Sequence, residues 1–218
     1  MKLRQKPKFG IICSVMPKSA QEMMGIFRHL RSECRAHTLE IRLDALSKKE
    51  CQDVVSNLSG NLLFPATILT RRSCEQGGLW NAGCEEQWYF WKNLPRTLHR
   101  LVADENMQVF VDFDIELLHW ARTEFEILPF LGGKIITSYH DFEGNKSAGE
   151  LLAILNKMRA TRAGFFKIVS TAQTADAVAK IQALFYGHSL AVNRGDSRPL
   201  ISFLMGKEGV QTIRLCLA

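Results

Sequence analysis

Two residues place reactive side chains in otherwise apolar surroundings. Lys167 lies within Gly164-Phe-Phe-Lys-Ile-Val169. An amine there loses its hydration, and desolvation favours the neutral form. The expectation is a lowered pKa and a nucleophilic nitrogen able to form an imine. A lysine on an edge strand, snorkelling to water, is the plainer alternative. His140 ends the run Lys134-Ile-Ile-Thr-Ser-Tyr-His-Asp141. An imidazole at a strand end, titrating near neutrality, is a natural general base; a loop histidine bonded to backbone would read alike. The remaining histidines fall in expected helices or connections.

A second set carries charge. Glu40, Arg42 and Asp44 alternate in Leu39-Glu-Ile-Arg-Leu-Asp44, and period-two spacing puts them on one face of a strand. Three charges there must pair with one another or bind something polar. Arg72 follows another apolar run and precedes Gln76-Gly-Gly78. Its fork suits a carboxylate or a polyhydroxylated anion, although a solvated loop arginine would look the same. Met205-Gly-Lys-Glu-Gly209 closes the last apolar run, and Arg214 follows.

The elements that must position these groups are short apolar runs alternating with amphipathic stretches. Strands are expected at Phe9–Val15, Thr38–Leu43, Leu62–Thr70, Gln108–Asp114, Lys134–Ser138, Gly164–Ser170 and Leu200–Met205. Most are continuously apolar, as strands covered on both faces are. Ser19-Ala-Gln-Glu22, Ser47-Lys-Lys-Glu50 and Ser147-Ala-Gly-Glu150 read as capping boxes opening helices. Glu85 to Val102 is a longer amphipathic stretch with Pro95 as its breaking point. Seven βα units result, with no linker dividing them, so residues 1–218 are expected to form one domain. The motifs GxGxxG and GxxxxGK[ST] are absent from the sequence, which removes the usual nucleotide-binding reading of an open sheet. The active site of a parallel α/β protein lies at the carboxyl ends of its strands, where the groups above fall.

Composition excludes several classes. Hydrophobic residues at 46% and charged residues at 23% suit a globular chain rather than a disordered one. No apolar run reaches the ~18 residues of a membrane span, and the basic start is followed by too short an apolar run for a signal peptide. Six scattered cysteines without a CxxC pair suggest reduced thiols and a cytoplasmic setting. The net charge of +6 is not concentrated in an Arg-rich tract, so a nucleic-acid partner is not expected.

Taken together, Glu40-Ile-Arg-Leu-Asp44, Arg72 through Gly77-Gly78, Asp112-Phe-Asp-Ile-Glu116, Ser138-Tyr-His-Asp-Phe142, Phe166-Lys-Ile168 and Met205-Gly-Lys-Glu-Gly209 resemble the type I 3-dehydroquinate dehydratases, in that family's order. The resemblance implies a (β/α)8 TIM-type barrel, a homodimer, no metal or cofactor, and elimination of water from 3-dehydroquinate through a Schiff base, in the shikimate pathway. It makes Lys167 the imine-forming lysine and His140 the proton carrier. It places Ser14, Glu40, Arg42, Arg72 and Met205 against the substrate, and Arg214 on its carboxylate. The sequence departs from the family pattern at three points. Gln76 stands where the family has a glutamate, Arg214 comes one residue late, and the family's last strand and closing loop have no counterpart before Ala218. The expectation is therefore a barrel lacking its last βα unit, or a piece of a longer protein such as a fusion to shikimate dehydrogenase. Other readings are another imine-forming barrel of the class I aldolase type and a non-catalytic barrel kept as an interaction domain.

Overall fold

A computed structural model describes residues 12–33, 38–58, 64, 66–94, 96–103, 108–121, 134–174 and 177–209. Seven strands form one parallel sheet in sequential order: β1 (Ile12–Val15), β2 (Thr38–Arg42), β3 (Ala66–Thr70), β4 (Val109–Asp114), β5 (Ile135–Asp141), β6 (Phe165–Thr171) and β7 (Leu200–Met205). Between them run α1 (Ala20–Glu33), α2 (Lys48–Leu58), α3 (Cys84–Lys92), α4 (Arg96–Ala103), α5 (Ile115–Trp120), α6 (Ala148–Arg159) and α7 (Ala177–Val192). Sequential parallel order with helical crossovers is the winding of a TIM-type barrel rather than of a doubly wound sheet, whose strand order reverses. After β7 the described residues hold only a 3-10 turn, Lys207–Gly209, and β1 and β7 are not paired with each other.

All seven expected strands are present. The starts expected at Phe9 and Leu62 lie outside the described residues, and β5 runs past Ser138 to include His140. Cap chemistry opens the helices as the spacing predicts. Ser147 and Glu150 form a complete reciprocal box, and Ser47 and Glu50 exchange the same bonds. The first box is only half made. Glu22 donates its backbone N–H to the Ser19 hydroxyl at 3.0 Å, but its carboxylate accepts from the Lys18 backbone at 2.6 Å instead. The long stretch after β3 resolves into α3 and α4 on either side of Pro95, a residue that cannot donate within a helix.

Alternation along the strands sorts side chains into two environments. One face turns to the helices: Leu39, Ile41, Leu69, Val109, Val111 and Phe113 pack with Trp88, Trp91 and Val54, while Phe166, Ile168 and Leu204 pack with Leu151, Leu155 and Ile181. The opposite face begins with an apolar floor of Ile12, Ala66, Ile68, Phe110, Ile136 and Phe165, in which the Phe110 and Phe165 rings meet edge to face at 5.2 Å. Two residues further along the same strands, that face becomes polar: Ser14, Glu40, Thr70, Asp112, Ser138 and Lys167. Phe110→Ala should therefore cost about 3–5 kcal/mol by cavity formation beneath the polar layer, read from urea unfolding. A loss under about 1 kcal/mol would mean that the floor is not closely packed.

Candidate active site

Burying Lys167 requires compensation, and the barrel supplies it from two other strands. The side chain is 6% exposed. Its Nζ donates to Glu40 Oε1 on β2 at 2.8 Å and to Asp112 Oδ2 on β4 at 3.1 Å. The expectation of a lowered lysine pKa is corrected here. Burial does push it down, but the Glu40 and Asp112 carboxylates outweigh burial and the nearby Arg72, and the net direction is upward. The resting amine is an ammonium ion. On Glu40, burial pushes upward, but Lys167, Arg72 and the Thr70 hydroxyl, which donates to Oε1 at 2.9 Å, hold the carboxyl down at about 2.

Arg72 is sealed in the same network. It is 2% exposed. One nitrogen donates to Asp112 Oδ2 at 3.0 Å, and the other to Asp114 Oδ1 and, at 2.7 Å, to Ser138 Oγ. Ser138 in turn donates to Asp112 Oδ1. Burial alone would lower the guanidinium pKa, but Asp112, Asp114 and Glu40 more than reverse that effect. Two glycines let the loop after Arg72 close back on it. Gly77 has φ +74°, and a Cβ there would strike the Phe142 ring; at Gly78 a Cβ would lie 2.0 Å from the Arg72 carbonyl oxygen. On the outside, the neighbouring Arg71 stacks between Trp80 and Phe90, 3.9 and 4.0 Å from their ring centres. The loop is thus pinned from both sides.

Arg42 and Asp44 pair with each other through two bonds of 2.6 and 2.7 Å, while Asp44 also accepts from the Arg72 and Leu79 backbones. The three alternating charges of this segment therefore divide: Glu40 serves Lys167, and Arg42 with Asp44 braces the rim. Ser14 is exposed beside Glu40 in the β1–β2 register. Met205 is half-buried at the end of β7, beside Thr171. Arg214 lies outside the described residues.

His140 stands two residues beyond Ser138, the register partner of Lys167, on the same face of β5. Burial, followed by the positive charges of Arg72, Lys167 and Arg42, holds its pKa well below 6.5. The imidazole is therefore neutral and able to accept a proton. Its Nδ1 is buried and has no hydrogen-bond partner among the described residues. Gln76, buried where the family pattern has a glutamate, accepts the His140 backbone N–H at 3.1 Å and donates to Glu116 at 2.6 Å. Glu116 is pushed upward by burial and by the charges of Asp114 and Glu75. Asp112, Asp114 and Ser138 lie inside segments that carry the family resemblance, but the sequence alone points to no role for them. Two carboxylates alternating in the apolar run Val109–Asp114 were the available signal, because charges at those positions demand buried partners.

A sequential parallel barrel with its polar groups gathered at the carboxyl ends of the strands defines the class: an α/β-barrel enzyme. The family profile described as Type I 3-dehydroquinase matches residues 11–217. A 3-dehydroquinate dehydratase of Desulfotalea psychrophila is 30% identical over 198 residues, covering 89% of this chain and 75% of the relative. Among solved structures, the type I 3-dehydroquinate dehydratase of Clostridium difficile superposes with a TM-score of 0.72 at 19% identity, over 95% of this chain and 79% of the other. The 3-dehydroquinate dehydratase of Geobacillus kaustophilus superposes with a TM-score of 0.71 at 18% identity, over 94% and 77%. The chain belongs to the type I 3-dehydroquinase family.

Two outcomes follow from the network. Arg72→Ala leaves Asp112 and Asp114 buried without their guanidinium and should cost about 3–5 kcal/mol of stability. An unchanged melting temperature with a raised KM would assign Arg72 to substrate instead. For His140 the folded pKa lies below the ordinary 6.5, so the unfolded chain takes up this proton first as pH falls. Its contribution to stability is then lost below about pH 6.5, and His140→Asn should remove that part of the slope in a pH series of unfolding midpoints.

Proposed function

We propose that this chain dehydrates 3-dehydroquinate to 3-dehydroshikimate through an imine on Lys167, with His140 moving the protons. The chain is a hydro-lyase of the shikimate pathway. The observation that carries the residue assignment is the pairing of a sealed lysine amine with a neutral histidine on the adjacent strand. In the balanced reaction, the C3 ketone condenses with Lys167 to a protonated imine and water. The cationic imine draws electrons from C2, and His140 takes the C2 proton. The resulting enamine expels the C1 hydroxyl, which leaves as water with a proton returned by His140. Hydrolysis of the imine frees the product and restores the ammonium.

Ser14, Arg42 and Met205 stand at strand ends where a polyhydroxylated ring would lie, and we assign them to substrate contact. Glu40 faces the same space while holding Lys167. Arg72 supports the site mainly from within, since its donors are taken by Asp112, Asp114 and Ser138. Arg214 is assigned to the substrate carboxylate by family pattern alone. A homodimer, a single catalytic domain over residues 1–218 and a cytoplasmic setting belong to the same reading, as does coupling to shikimate dehydrogenase. Among the described residues no helix is long and apolar enough to cross a membrane.

Incubation with 3-dehydroquinate and then borohydride, followed by intact mass and peptide mapping, should give one adduct, on the peptide containing Lys167. An adduct on another lysine, with none here, rules the assignment out. His140→Ala should keep the adduct and lose turnover by about 10²–10⁴-fold. Turnover near the unsubstituted rate would hand the proton to another group.

A further inference from the structure

Lys167 rests as an ammonium ion, yet only a neutral amine can attack a ketone. Some group must take one of its protons, and among the described residues the oxygens that accept from it are Glu40 Oε1 at 2.8 Å and Asp112 Oδ2 at 3.1 Å. They are not equivalent. Asp112 has no exposed side-chain surface, and its two oxygens already accept from Arg72 and Ser138. Neither of its oxygens can take a proton without giving up one of those bonds. Glu40 keeps 11% of its side chain exposed, at the shorter distance, with the Thr70 hydroxyl as its other donor.

We propose, resting on the imine reading above, that Glu40 is the catalytic group that takes the proton from the Lys167 ammonium and returns it to the departing oxygen during imine formation. The step balances. Glu40 carboxylate removes one ammonium proton, leaving a neutral amine and a carboxylic acid. The nitrogen lone pair bonds to the ketone carbon while the carbonyl π pair moves to oxygen. One of the two remaining nitrogen protons passes to that oxygen, giving a neutral carbinolamine. Glu40 then protonates the hydroxyl, the C–O bond breaks to release water, and the nitrogen lone pair closes the C=N bond. An ammonium and a ketone have become an iminium ion and water, and Glu40 is again a carboxylate.

The ion pair is the resting state. Burial is the largest single influence on both partners and favours the uncharged form of each, but the Lys167–Glu40 attraction, helped by Asp112 at the lysine and by Arg72 at the carboxylate, outweighs it. The transfer is therefore uphill at rest, and attack on the ketone completes it by restoring a cation on the lysine nitrogen.

The test separates proton transfer from simple charge pairing. The charged groups around this pair are Asp112 and Asp114 on β4, Arg72 after β3 and Arg42 on β2, with His140 on β5; all remain in the variants. Borohydride quenching at timed intervals after mixing with 3-dehydroquinate reads the rate of imine formation by intact mass. Glu40→Gln should slow that rate by about 10²–10⁴-fold across the neutral range. If Glu40 only holds the ammonium, its loss lowers the lysine pKa, and the adduct forms as fast or faster with its pH dependence moved downward. That result overturns the proposal. Should Glu40→Gln fail to fold by circular dichroism, Glu40→Asp keeps the charge but withdraws the carboxylate by one methylene. It should slow imine formation without shifting its pH dependence, and an unchanged rate overturns the proposal equally. If the unsubstituted protein forms no adduct at all, it is the imine reading that fails, and the role of Glu40 falls with it.

Discussion

The structure turns on the burial of two cations, Lys167 and Arg72, in the polar layer of the barrel. An unpaired charge in such a place would cost several kcal/mol, so each strand facing them must bring a partner. Glu40 comes from β2, Asp112 and Asp114 from β4, and Ser138 from β5. Counted formally, three carboxylates surround two cations, so the network itself is net anionic, with Arg42 and Asp44 cancelling each other at the rim. Removing one member leaves another unpaired. For that reason the groups that hold the site together and those that do its chemistry cannot be cleanly divided.

That layer is possible because the strands alternate strictly. Ile68 and Thr70, Phe110 and Asp112, Ile136 and Ser138, and Phe165 and Lys167 are each two residues apart on one strand. The first of each pair builds the apolar floor and the second the polar layer above it. A slip of one residue in any strand would exchange floor and helix-facing positions. Parallel register therefore fixes the catalytic geometry as firmly as the side-chain bonds do.

The strands were legible because each is a local pattern, an apolar run, and so were the positions of Lys167 within one such run and His140 near the end of another. The partners were not, because they are joined only through the fold. Glu40 and Lys167 stand 127 positions apart, and Asp112 and Lys167 stand 55 apart. Hence the sign of the lysine shift read from one segment was reversed: desolvation is visible locally, whereas the carboxylates that overcome it arrive from two other strands. The burial of Arg72 was not legible either: its segment reads as a loop, yet the guanidinium lies two residues beyond Thr70 on the same inward face and is 2% exposed. Gln76 was visible as a departure from the family pattern, but its consequence required coordinates. Its carbonyl holds the His140 backbone rather than the ring, and Nδ1 has no partner among the described residues.

On the proposed reading, the same charges that keep Lys167 protonated also prepare the reaction that would consume it. Condensation with a ketone replaces an ammonium by an iminium ion, so a positive charge remains on the lysine nitrogen. Glu40 and Asp112 therefore face a cation before and after the step and need not reorganise, which is how fixed dipoles and charges lower a barrier at little cost. His140 sits on the other side of this balance. Arg72, Lys167 and Arg42 all oppose its protonation, and because the iminium keeps its charge, that opposition persists once the imine has formed. The imidazole is thus free to accept the C2 proton when the electron sink is in place. Holding the proton afterwards is unfavourable beside so many cations, which favours its early return to the leaving hydroxyl. Two titratable groups pushed in opposite directions by one network would divide the labour of the proposed reaction between them: the lysine to carry the charge, and the histidine to carry the proton only briefly.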